Sequence, residues 1–220
     1  MHQLKLPAIV VALLTCLTPA LADESPTYLG PQNAAETAFV QSIQVDLMKR
    51  FPTAADAEKA GYVRYTAEDD TGAISYANRQ WQSRDSAHPS QLWYDAQGNL
   101  LGADFSVLKT GDNRPHLWGI DPGRWYEFDA HIHWVVKDSV TGNLAYDQWV
   151  PEGKFVAAGG DPKKPSAETL VAMGKVKNAA DVVTVFEFPS VYDLIVWVKA
   201  NPDGAFAEKN PLVHPTSATK

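Results

Sequence analysis

At Tyr62 the chain changes period. Before it, Asn33 followed by Glu36 has the form of a capping box, and Phe39, Val40, Ile43 and Leu47 fall on one helical face. Pro52 disfavours helical geometry at Phe51, so this helix should stop near Arg50. Thr53 then caps a short second helix over 54–60, which Gly61 ends. After Tyr62 come short alternating runs rich in β-branched and aromatic residues, at 62–65, 74–77, 91–94, 100–108, 116–120, 125–136, 144–150, 182–188 and 191–199. Asp95-Ala96-Gln97-Gly98-Asn99 and Thr141-Gly142-Asn143 supply turns between neighbours. Closely spaced strands of this kind predict an α+β fold. It is mainly antiparallel β-sheet, sandwich or barrel-like, with two N-terminal helices packed on it.

Two segments depart from that rhythm. The Gly-, Pro- and Lys-rich stretch 151–166, leading into a short helix at 167–173, is long for an internal connection and reads as a lid or a surface excursion. Residues 212–220 read as a flexible tail, leaving 23–211 as a single domain.

The N-terminus predicts export. Lys5 precedes an apolar run from Leu6 to Leu17, too short for a bilayer span of about 20 residues. Ala20-Leu21-Ala22 then forms a small-x-small cleavage site, so residues 1–22 are expected to be a signal peptide removed after Ala22. The competing reading is lipoprotein processing at Cys16, after Leu13-Leu14-Thr15. Cys16 is the only cysteine, so the mature chain would have no disulfide and would rely on its core, which suits a bacterial periplasmic or secreted protein. Loss of Lys5 lowers the 19 basic residues to 18 against 26 acidic ones, moving the formal charge from −7 to −8. No Lys/Arg run exceeds Lys163-Lys164, which argues against nucleic acid as a partner. No apolar stretch after the leader is long enough for a transmembrane segment.

The segment with most chemistry is Trp125-Tyr126-Glu127-Phe128-Asp129-Ala130-His131-Ile132-His133-Trp134. Read as one strand, it places Tyr126, Phe128, Ala130, Ile132 and Trp134 on a core face, and Glu127, Asp129, His131 and His133 on the other. Histidines two apart on a strand stand about 6–7 Å apart at the backbone and can converge on one ion. His131 and His133, with Glu127 or His116 assisting, are therefore candidate ligands for a divalent metal such as Zn, Cu, Fe or Mn. The competing readings of the same face are the solvated side of an antiparallel sheet, and an acid–base or ligand-binding face without metal. Seven tryptophans, most of them in expected strands, either fill a core or line a small-molecule pocket. Trp125 and Trp134 are the candidates for ligand contact.

His131-Ile132-His133 followed by Asp138, with Pro151-Glu152-Gly153 further on, resembles the two cupin motifs. Asp138 stands where glutamate is usual, and Val156 stands where the second motif's histidine would be. That resemblance implies a metallo-barrel and a metal-dependent enzyme. Trp197…Asn201-Pro202-Asp203-Gly204-Ala205-Phe206-Ala207…Asn210-Pro211 is similar to the closing stretch of an uncharacterised family of secreted bacterial proteins. Ala60-Gly61-Tyr62 and the hairpin from Leu92-Trp93-Tyr94 to Leu100-Leu101-Gly102-Ala103-Asp104 also look like that family. The resemblance implies export and a β-rich domain, without catalytic residues. The chain has no G-x-S-x-G elbow, Walker loop, G-x-G-x-x-G fingerprint or H-E-x-x-H helix. These readings converge on an exported protein that binds a small ligand, with a metal on His131 and His133 as the sharpest form. A cupin-like enzyme and a non-enzymatic envelope interaction module are the alternatives.

Overall fold

The computed structural model describes residues 22–82 and 85–216. The expected leader, Ala22 apart, and Cys16 lie outside the described residues. In chain order, β1 (Ala22–Glu24) precedes α1 (Ala34–Arg50) and α2 (Ala54–Lys59). Strands β2 (Val63–Arg64), β3 (Ile74–Ala77), β4 (Gln91–Tyr94), β5 (Leu100–Leu108), β6 (Tyr126–Phe128), β7 (His131–Lys137) and β8 (Leu144–Pro151) follow. Then come α3 (Glu152–Ala157), α4 (Ala167–Ala172), β9 (Val182–Phe188) and β10 (Val191–Trp197). One sheet has seven strands in the order β1-β6-β10-β5-β4-β3-β2, and the other three, β8-β7-β9. Among the described residues all pairings are antiparallel and no closed barrel forms.

Both N-terminal helices start as their caps dictate. The Asn33 side chain accepts from Glu36 N at 2.8 Å while Glu36 Oε2 accepts from Asn33 N at 3.0 Å, and Thr53 caps α2. The α1 stripe of Phe39, Val40, Ile43 and Leu47 packs on Leu92, Phe105, Leu194 and Val196 of the large sheet. A bulge between Trp93 and Tyr94 of β4, opposite Leu101, sets the faces of β5. Ala103, Phe105 and Val107 turn to the helix, which leaves Asp104 and Ser106 on the other side.

The small sheet packs against that other side through Val135, Phe186 and Phe188, which meet Tyr65, Ala77 and Val191. Its outer face carries Ile132, Trp134 and Val150, covered by Phe155 of α3 and Leu170 of α4. The segment expected as a lid or surface excursion is thus the outer wall of the small sheet. Residues 212–216 lie against the domain: Val213 is buried, and Glu68 Oε1 accepts from Thr216 N at 2.8 Å. Residues 217–220 lie outside the described residues.

Two expected strands are corrected. The run 116–120 is a turn, because Trp118 (φ 55°) and Gly119 (φ 73°) are left-handed and fold the Trp118 ring back onto Phe39, 5.4 Å between centroids. The run 125–136 is two strands in different sheets, broken at Asp129-Ala130. Beside this crossing runs a second one, Pro189-Ser190, by which β9 passes into β10. Phe128 pairs with Val191 before the corner and His131 with Phe188 after it, and Ala130 N donates to Ser190 Oγ at 3.1 Å. In a sandwich the inward sides of the two sheets face each other. Phe128, on the expected core face, and His131, on the expected polar face, therefore line the same interior.

Candidate functional site

The sheets diverge from this double corner and flank a half-open cavity of about 390 Å³. One wall is the large sheet, with Gln91 and Trp93 of β4, Asp104 of β5, and Asp193, Ile195 and Trp197 of β10. The facing wall is the small sheet, with His131 and His133 of β7 and Phe188 of β9. Asp69, Asp70, Glu208 and Lys209 stand among the remaining lining residues.

His131 and His133 are 5% and 4% exposed, so the solvated-face reading fails. Alternation holds within β7, but both sides of the strand are covered. Their rings lie 4.8 Å apart, with Tyr65 at 4.8 Å from His133 and Phe188 stacked at 5.3 Å on His131. His131 Nδ1 is 2.7 Å from the carbonyl of Asp129, which can only accept. The proton therefore sits on Nδ1, and Nε2 carries the lone pair. Burial holds His131 below the usual histidine range. Burial, with His131 alongside, brings His133 down to about 3. Both are neutral at pH 7, and His133 Nδ1 is buried without a hydrogen-bond partner.

Across the cavity Asp104 and Asp193 are 6% and 3% exposed. The register pairs Asp104 with Ile195 and Ser106 with Asp193, so the carboxylates are diagonal neighbours on one face of two bonded strands. Asp104 Oδ2 accepts from Trp93 Nε1 at 3.1 Å, and Asp193 Oδ1 accepts from Ser106 Oγ at 2.7 Å. Ser106 is steadied by Ser90 Oγ, 2.5 Å away. Trp93 can lie over its cross-strand partner because that partner is Gly102; a Cβ there would stand 2.7 Å from the indole. Burial pushes both carboxyls up, Asp193 to about 7 and Asp104 well above the ordinary range, where Asp193 adds repulsion. Tyr65 donates to Gln91 Oε1, and burial raises its hydroxyl as well.

Of the four expected metal ligands, the structure brings together His131 and His133 only. Glu127 is on β6, opposite Tyr192 of the large sheet, and is ion-paired with Lys109. His116 is exposed in the loop after β5. Among the described residues no three His, Cys, Asp or Glu side chains are grouped to hold an ion. Asp138, the residue resembling a cupin ligand, caps the β7–β8 turn by accepting from Val140 N and Thr141 N. Trp125 is fully buried under α1, and Trp134 faces α3 and α4, so neither reaches the cavity. Trp93 and Trp197 take that place, their rings 5.4 Å apart. The carboxylates had a sequence signal of their own: Asp104 and Asp193 are single charges inside the apolar runs Leu100–Leu108 and Val191–Trp197.

No family model, curated protein or solved structure matches this chain. Among the described residues no helix is long and apolar enough to cross a membrane.

Proposed function

We propose that this is an exported protein that binds a small organic ligand between its two sheets. The observation that carries the reading is the cavity itself. About 390 Å³ of space is walled by aromatic rings and buried polar side chains whose pKa values are displaced in opposite directions. Cavities of this size and mixed character suit small ligands, and displaced pKa values concentrate at functional sites. Export is supported by the leader pattern at 1–22. It is tested by N-terminal sequencing of the mature protein, which should begin at Asp23.

The binding reading is tested by a thermal-shift panel of small amines, alcohols, acids and sugars on the intact protein and on Ile195→Trp. Ile195 lines the cavity beside Asp104, so an indole there fills the space. Compounds that stabilise the parent and leave the variant unmoved support the reading; compounds that stabilise both equally bind elsewhere.

A divalent metal on His131 and His133 is the second reading, favoured by their 4.8 Å ring separation and the lone pair on His131 Nε2. Zinc, copper, iron or manganese retained near stoichiometrically by tagless protein, and lost in His131→Ala/His133→Ala, would establish it. Absence of metal uptake after incubation with each ion removes it, and with it the cupin-like enzyme.

A further inference from the structure

We propose that the cavity selects a ligand carrying a protonated amine on an aromatic or apolar body, an inference that rests on the cavity being the ligand site. Among the described residues each buried carboxylate has one hydrogen-bond donor, Trp93 to Asp104 and Ser106 to Asp193. Nothing among the described residues donates to Asp104 Oδ1 or Asp193 Oδ2, and both side chains line the cavity. Among the described lining residues the only lysine or arginine is Lys209, which is 63% exposed with Nζ 3.3 Å from Asp70. The histidines across the cavity add no positive charge, and His133 Nδ1 is itself without a partner.

This arrangement ranks ligands by charge. Buried carboxylates lacking a counter-ion are costly, and a cation that hydrogen-bonds to them removes that cost. An ammonium has three donors, enough for the open oxygen of each carboxylate. A neutral hydroxyl offers one donor and no charge, while an anion meets repulsion from Asp193, which is ionised at pH 8. The indoles of Trp93 and Trp197 and the rings of Phe128 and Phe188 provide apolar walls and π faces that attract cations. Asp69, Asp70 and Glu208 also line the cavity, in a chain of formal charge −7, so the surrounding field draws cations in.

The test is calorimetric titration of the mature protein at pH 8 with phenethylamine, 2-phenylethanol and phenylacetate, which share a ring and differ in charge. The expected result is amine binding about ten- to a hundredfold tighter than alcohol, the range for a hydrogen bond to a charged group, with the acid weakest. Asp104→Asn and Asp193→Asn should each bring amine and alcohol to within about threefold, with alcohol binding retained as the sign of an intact cavity. Equal affinities in the parent, or a preference that survives both substitutions, would overturn the inference and leave the cavity reading standing. Failure of all three compounds to bind would overturn both.

Discussion

Asp193 and His133 face one cavity from opposite sheets, and their protons respond to folding in opposite senses. The folded Asp193 value, about 7, lies above its ordinary 3.8. The unfolded chain ionises first, so stability is lost as pH rises from about 4 to about 7 and is level beyond. The folded His133 value, about 3, lies below its ordinary 6.5, so stability is lost as pH falls from about 6.5 toward 3. Between about pH 4 and 6.5 the two slopes oppose each other, Asp104 adding to the first and His131 to the second. Asp193→Asn should therefore match the parent near pH 4 and exceed it at pH 8. The gain should be on the order of 1–3 kcal/mol, the usual cost of an incompletely satisfied buried polar group. His133→Gln should gain on the parent as pH falls from about 6.5 to 4. Urea unfolding at pH 4, 6 and 8 measures both, and offsets that do not change with pH would contradict these assignments. A substitution that strengthens the empty protein while weakening ligand binding is the mark of a group placed for function.

At the scale of elements, α1 is fixed to the large sheet by more than its apolar stripe. Glu36, fully buried in its first turn, caps the helix, accepts from Asp121 N at 3.1 Å and pairs with Arg124 at 3.2 Å. Arg124 Nη2 also donates to Gly30 O at 2.7 Å, so one side chain ties the N-terminal segment to the turn before β6. Glu36→Ala leaves that guanidinium buried without its counter-charge, and should cost about 3–5 kcal/mol in chemical denaturation. A cost below about 1 kcal/mol, typical of exposed pairs, would show that the pair is solvated. The cap was legible because a capping box is local: Asn33 and Glu36 announce it themselves. The break at Asp129-Ala130 was not, because neither residue is a Gly or Pro and the alternation continues through it. What bends the chain there is pairing with β9 and β10, remote in sequence.

The whole molecule is layered, with α1 on the large sheet, the small sheet facing it, and α3 and α4 behind. Phe155 is fully buried in the outermost interface, so Phe155→Ala should lower stability by about 3–5 kcal/mol. A marginal loss would mean that α3 is not seated on the small sheet. The site was half legible at this scale. His131 and His133 stood out as a polar pair on a strand, but their burial depends on a facing sheet that strand patterns do not place. Trp125 and Trp134 lie on the histidine strand run, yet the corner sends one under α1 and the other toward α4. Asp104 and Asp193 meet only because β10 inserts between β6 and β5, a pairing of residues far apart in the chain.

The most direct test of the inter-sheet site is calorimetric titration of phenethylamine into the intact protein beside Ile195→Trp, with cooperative unfolding of both confirmed first. Saturable one-to-one binding to the parent is expected and none to the variant, whose indole takes the ligand's place. Equal binding to both proteins would put the ligand outside the cavity and overturn the inter-sheet site.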